Sequence, residues 1–342
     1  MTISHTHTEI LSQPEAWSAA LAVLNQQADA LRDFYHQGAF DSVLFTACGS
    51  PYYLGLAAAT LLNELGAVPA RSLPGSESWL NPALAYRPTE KTLFITLSRS
   101  GETSETIRAC EGFRANGQGS VLTMTCNPGT ALTTLGEVNL VLPSGQEESL
   151  AQTRAFSTLF LATTFLAALW SGRQDILAEL NSLPQLCQSL LTNYQLPITT
   201  LAHDSTLDRF YFLGSGVRYG LACELSLKMK EMSLSHSEPF HVLEFRHGPK
   251  SMATAGALVV GLISEFNYEQ EMAVLNEVCG QGARVISLGE RDTDIAFVSG
   301  LSQMARNILY LPLGQLLAFE RAMSKGLNPD QPANLSAFVV LK

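Results

Sequence analysis

Short apolar runs alternate along the chain with longer stretches in which apolar residues return at helical spacing. Runs at about 42–47, 92–97, 120–124 and 138–142 predict strands, and the stretches at 51–65, 103–116 and 153–170 predict helices. The second half repeats the scheme, with strands near 209–213, 257–263, 283–288 and 307–311 and helices at 217–232, 268–280 and 314–324. Such alternation predicts an α/β architecture, with a doubly wound parallel sheet in each half and helices on both its faces. Ligands of these sheets sit beyond the carboxyl ends of the strands. The first forty residues read as helical, with Pro14 near a helix start. Leu and Ile at helical spacing predict a bridging helix over 173–196. The expected division is an N-terminal helical segment over 1–40, a first domain over 41–172, a linker helix over 173–196, and a second domain with a C-terminal tail over 197–342.

A shift of 165 residues lays the two halves over one another without a gap. Phe45 falls on Phe210, Gly49-Ser50 on Gly214-Ser215, and Gly55-Leu56-Ala57 on Gly220-Leu221-Ala222. Each copy is an apolar strand, a Gly-Ser turn and an Ala/Leu-rich helix, so the halves read as an internal duplication.

The strand at Leu93-Phe94-Ile95-Thr96-Leu97 runs into Ser98-Arg99-Ser100-Gly101-Glu102-Thr103-Ser104. Gly101 lets backbone N–H groups approach a ligand, and the following helix offers unpaired N–H groups and the positive end of its dipole. Ser98, Ser100 and Thr103 add hydroxyl donors. That set suits a phosphate monoester, although the order is neither that of a nucleotide P-loop nor Gly-x-Gly-x-x-Gly. The alternative is a serine-rich turn that caps a helix and binds nothing. In the second half the matching strand runs into Ser264-Glu265-Phe266-Asn267, which lacks such a loop and carries a carboxylate. One phosphate site per chain is therefore expected, in the first half.

The chain has 342 residues, 46% hydrophobic and 15% charged, which fits two domains with a large core and excludes disorder. A net charge of -10 argues against a nucleic-acid partner. The most apolar stretches, near 159–170 and 255–263, are broken by Thr or Gly and too short to span a bilayer. The N-terminus shows no signal-peptide pattern. Six scattered cysteines without a Cys-x-x-Cys pair fit reduced, mostly buried thiols. The expectation is a cytoplasmic protein with no membrane partner.

A second dense region begins at Glu224, Lys228 and Glu231, which share one helix face by spacing. They read either as a solvated salt-bridge stripe or as a carboxylate base kept ionised by an ammonium neighbour. Further on, His247 precedes Gly248-Pro249, which ends regular structure. It reads as a general acid on a loop, or as a polar loop residue. His236, His241 and His247 lack metal-ligand spacing and Cys companions, so no metal site is expected.

These motifs together resemble the sugar isomerase (SIS) domain family, over nearly the whole chain and as two tandem SIS domains of flavodoxin-like type. The matching residues are Ala47-Cys48-Gly49-Ser50, Ser98-Arg99-Ser100-Gly101-Glu102-Thr103, Leu227-Lys228-Met229-Lys230-Glu231, Arg246-His247-Gly248-Pro249 and Asp330-Gln331-Pro332. The pattern is similar to the isomerase portion of glutamine–fructose-6-phosphate transaminase, and to stand-alone phosphosugar isomerases, amino-sugar-phosphate deaminases and deglycases. The resemblance implies that Ser50, Ser98, Ser100 and Thr103 bind a sugar phosphate with Arg99 beside them, and that Leu150, Ala151 and Gln152 line the sugar through their backbone. It implies that Glu231 moves a proton between C1 and C2, Lys228 assists, and His247 opens the ring. It also implies a homodimer in which His247 completes the neighbour's site, a C-terminal tail that closes the site from water, and no cofactor.

Three departures from the family pattern bear on the chemistry. The sequence begins Met1-Thr2 without an N-terminal nucleophilic cysteine, so a reaction without glutamine is expected. Ala337 stands where the tail of the family's synthases carries a lysine. Arg99 replaces the glutamine between the two serines, and Pro51 replaces a hydroxyl residue after Ser50. Arg99 is suited to grip the phosphate bidentately or to read a second acidic group. The expected activity is a phosphosugar isomerase or amino-sugar-phosphate deaminase. The competing readings are a deglycase of a phosphorylated sugar–amino-acid adduct, with Arg246 and Lys250 meeting the extra carboxylate, and a non-catalytic phosphosugar-binding protein.

Overall fold

In the computed structural model, which describes residues 4–87 and 89–341, the apolar runs become parallel strands and the stretches between them become helices. Helix α1 spans His5–Leu11 and α2 spans Gln13–Gly38. Strand β1 (Ser42–Ala47) leads to α3 (Ser50–Glu64), β2 (Ala70–Pro74), α4 (Gly75–Leu80) and α5 (Pro82–Ala85). Strand β3 (Lys91–Ser98) leads to α6 (Ser104–Asn116), β4 (Gln118–Thr125), β5 (Val138–Val141) and α7 (Arg154–Trp170). Helices α8 (Gln174–Leu180) and α9 (Leu183–Ala202) precede β6 (Arg209–Leu213), α10 (Val217–Ser233), β7 (His236–Phe240) and β8 (Ala257–Leu262). The chain continues through α11 (Tyr268–Gly280), β9 (Arg284–Gly289), β10 (Ile295–Ala296), α12 (Gln303–Arg306) and α13 (Leu311–Ser324).

Two compact units result. The first-half unit holds the described residues of Glu15–Glu147, Arg154–Asn181 and the tail over 336–341. Its strands pair in the order β2-β1-β3-β4-β5, all parallel. Phe94 of β3 stacks on Phe113 of α6 at 4.4 Å between ring centres, inside a cluster with Leu44, Val121 and Leu132. Helix α7 is apolar almost all round and is buried almost all round, as that composition requires. Its Ser157 hydroxyl accepts a bond from the Trp17 indole at 2.9 Å.

The second-half unit holds residues 4–14, Glu148–Thr153 and Ser182–Leu335. Its strand order is β7-β6-β8-β9-β10 and again parallel. Tyr211, Leu213, Val259, Phe245, Val274 and Leu275 form its core. The two sheets share one topology, and their first helices start alike. Gly49 precedes α3 with φ +63° and ψ −132°, and Gly216 precedes α10 with φ +60° and ψ −134°. Only glycine adopts such a turn without strain. The structural match thus sets Gly49 on Gly216, two residues beyond the gapless sequence match to Gly214.

Three elements differ from the sequence reading. The run expected as a strand near 307–311 is a 3₁₀ turn over Asn307–Tyr310 that leads straight into α13. Its residues are buried all round, and an apolar run of that length carries no period to tell strand from helix. Pro312 stands in the first turn of α13, where its missing N–H costs nothing. The edge strands β2, β7 and β10 were not expected, because each is short or polar, and β7 contains Pro239. The stretch 173–196 carries two helices, α8 and α9. No helix among the described residues is long and apolar enough to cross a membrane.

Candidate functional site

In the first-half unit the chain turns one way after β1 and the other way after β3, a topological switch point of the kind at whose carboxyl ends ligands of such sheets bind. Ser50 and the 98–104 loop flank it, at the ends of these two paired strands. Ser50 heads α3, and its hydroxyl is buried without a hydrogen-bond partner. A buried hydroxyl left so is costly unless a ligand or water meets it.

The loop is held in shape from several sides. The carbonyl of Arg99 accepts bonds from the Thr125 hydroxyl at 3.0 Å, the Asn127 amide at 3.0 Å and the Cys126 N–H at 3.2 Å. Gly101 has φ +71°, and a Cβ there would come within 2.1 Å of the Thr130 hydroxyl oxygen. Ser98 Oγ accepts the Gly101 N–H at 3.0 Å, and Ser100 Oγ accepts the Glu102 N–H at 3.2 Å. Both hydroxyls keep their own hydrogen to donate. Thr103 is the N-cap of α6 but makes no capping bond. The serines thus brace the loop, and none of the three hydroxyls caps the helix.

The matching turn of the second-half unit is closed by the chain itself. The Ser264 N–H donates to Glu271 at 2.7 Å, and Arg218 donates to the other oxygen of that carboxylate at 2.9 Å. Burial raises Glu271 above the ordinary carboxylate range, and Arg218 only partly offsets it. The Glu271 carboxylate is thus bonded into this turn.

Also in the second-half unit, α10 presents Glu224, Lys228 and Glu231. Lys228 is 1% exposed, Glu224 is fully buried and Glu231 is 18% exposed. The ammonium lies 3.4 Å from Glu224 and donates a short bond to Glu231. This is no solvated stripe. His247 is exposed, at the end of a 3₁₀ turn over Glu244–Arg246. Beside it, Arg246 bonds Glu277 of α11 at 2.5 and 3.1 Å, and Lys250 meets the same carboxylate at 3.5 Å. The hydrogen bonds from Arg246, against a smaller opposing effect of desolvation and with the charges of Arg246 and Lys250 adding to them, hold Glu277 below its usual range. Both basic side chains are therefore engaged within the protein.

Leu150, Ala151 and Gln152 lie in the short segment ahead of α7. Leu150 N–H donates to the Asp330 carbonyl at 3.0 Å, and the Ala151 carbonyl accepts from Ser149 at 3.1 Å. The Gln152 side-chain oxygen is buried without a partner. Glu9 fixes this segment by accepting the N–H groups of Glu148 at 2.6 Å and Ser149 at 3.2 Å. Nothing about Glu9 in its helical stretch marks it for that task. Asp330 in turn accepts from Ser4, His5 and Thr6 at 2.6–2.9 Å. Burial works to raise its carboxyl, but these bonds outweigh it and hold the group below its usual range. Burial pushes the Cys110 thiol up to about 12 and the Cys223 thiol to about 11, so neither is a nucleophile near neutral pH. Among the described residues no group of three or more potential metal ligands is assembled.

A family model described as the SIS domain matches residues 40–169 and 206–314. The chain belongs to the SIS domain family. The glutamine–fructose-6-phosphate aminotransferase (isomerizing) of Chlamydia caviae is 30% identical over 98% of this chain and 58% of its own length. This SIS protein thus spans just over half the length of such curated relatives. The crystal structure of glucosamine-6-phosphate deaminase from Thermotoga maritima superposes with a TM-score of 0.77 at 27% identity, covering 94% of this chain and all of that one. Tagatose-6-phosphate ketose/aldose isomerase from Escherichia coli gives a TM-score of 0.85 over 98% of this chain and 97% of its own, at 23% identity, a likeness of fold. By name, then, the relatives at 25% identity or more are an isomerizing aminotransferase and an amino-sugar-phosphate deaminase.

Proposed function

We propose that the chain acts on a 6-phosphorylated sugar, as a phosphosugar isomerase or an amino-sugar-phosphate deaminase. Ser50, Ser98, Ser100 and Thr103 hold the phosphate, with Arg99 beside them, and the backbone of Leu150, Ala151 and Gln152 lines the sugar. His247 opens the ring, contributed by the partner copy in a homodimer. Glu231 then carries a proton between C1 and C2, with Lys228 assisting. One carboxylate serves both carbons, and ketose–aldose exchange or loss of ammonia from a 2-amino sugar each needs that transfer.

The observation that carries this reading over a binding protein is the buried Lys228 in contact with Glu231. A sensor needs the phosphate loop alone, and burying an ammonium beside a carboxylate is expensive. The deglycase reading is weaker, because Arg246 and Lys250 are taken up by Glu277. Product formation across 6-phosphorylated ketoses, 2-amino sugars and sugar–amino-acid adducts tests the proposal. Turnover of a ketose or amino sugar is expected. Turnover of adducts alone, or of nothing while sugar phosphates still bind, contradicts it.

A further inference from the structure

Arg99 is where the loop departs from the family pattern, and its side chain is engaged within the first-half unit by Glu147 and Ala337 among others. Nη1 lies 3.4 Å from a Glu147 oxygen, with both side chains buried. Nη2 donates to the carbonyl of Ala337 at 3.1 Å, across 238 residues of sequence. Two more bonds follow. The Ser104 N–H donates to the Val339 carbonyl at 3.2 Å, and the Leu341 N–H donates to Ser104 Oγ at 3.1 Å. Residues 337–341 therefore run along the 99–104 loop as a strap.

The strap is not held by apolar burial. Phe338, Val339 and Val340 remain 40%, 48% and 67% exposed. Its placement depends on polar bonds, and the bond from a guanidinium is the strongest kind among them. A buried Arg–Glu pair adds little net stability, but Glu147 fixes the direction of the planar fork. One N–H then points at a backbone carbonyl, which Ala337 supplies whatever its side chain. A lysine carries the charge but not the fork.

We propose that Arg99, aimed by Glu147, is a positioning residue that seats the C-terminal strap on the 98–104 loop and orders the two together. The inference rests on the phosphosugar reading only in naming that loop as the phosphate cradle.

Hydrogen exchange of the full chain without substrate tests it, so the outcome does not depend on the proposed activity. Wild type should protect the Ser104 and Leu341 amides, read on peptides over 99–106 and 336–341. Arg99→Lys keeps a positive charge at this position but not the fork, and the double variant Arg99→Gln/Glu147→Gln removes both charges of the pair together. Both variants should speed exchange in these two peptides by about tenfold or more, with the rest of the unit unchanged. Rescue of protection by lysine overturns the proposal. So do wild-type protection in the double variant, an unprotected strap in wild type, and faster exchange spread evenly over the unit.

Discussion

Lys228 carries its charge where solvent scarcely reaches, so its partners decide whether the helix tolerates it. Glu224 and Glu231 sit within one turn on either side of it. Removing the cation beside buried Glu224 should cost much more than an exposed pair would. Lys228→Met is expected to lower stability by about 3–5 kcal/mol, and Glu224→Gln in the same chain should recover part of that. Denaturant unfolding checks both. A loss of under about 1 kcal/mol would return the triad to an ordinary surface stripe. The spacing of these residues was legible in the sequence, but their burial was not, because it depends on packing against α10 from outside its own stretch. Asp330 makes a second case. Its depressed carboxyl contributes stability that is present above the ordinary carboxylate range and lost as pH falls through the folded-state value. Asp330→Asn should therefore lower Tm at pH 7, and its gap from wild type should begin to narrow only below about pH 4 and close as pH falls through the depressed folded-state value. A gap independent of pH would assign the loss to something other than the ionised carboxylate.

At the scale of elements, the strand–turn–helix unit does the work twice, with opposite outcomes. After β3 the turn leaves its hydroxyls directed by a braced backbone, whereas after β8 Glu271 fills the turn. Gly101→Ala sets a Cβ against Thr130 in a left-handed conformation, a strain of about 1–3 kcal/mol before any clash is counted. It should weaken binding of glucosamine 6-phosphate by at least about tenfold by calorimetry while the fold survives. Unchanged affinity would remove the loop from phosphate recognition. The paired strands and their helices were readable because both sheets bury strands on two faces, so each reads as a continuous apolar run. The edge strands and the run at 307–311 were not, since short polar edges and aperiodic buried runs carry no signature. Nor was the link from Arg99 to Ala337, which local pattern does not encode.

At the scale of the molecule, tandem SIS domains account for the repeated strand order and for both segments matched by the family model. A proposed homodimer in which His247 serves the partner's site makes a separable prediction. Mixing Glu231→Gln with His247→Ala should restore activity through hybrid dimers, measured after subunit exchange is demonstrated. No recovery would place all the chemistry within one chain. The most direct test of the whole account is solvent exchange on the sugar itself. Wild type incubated in D₂O with fructose 6-phosphate or glucosamine 6-phosphate should place deuterium at C1 or C2, read by NMR. Glu231→Gln should slow this by on the order of 10²–10⁴-fold while still binding the sugar phosphate. Exchange undiminished in the variant, or absent in wild type with every 6-phosphorylated sugar tried, would contradict the account.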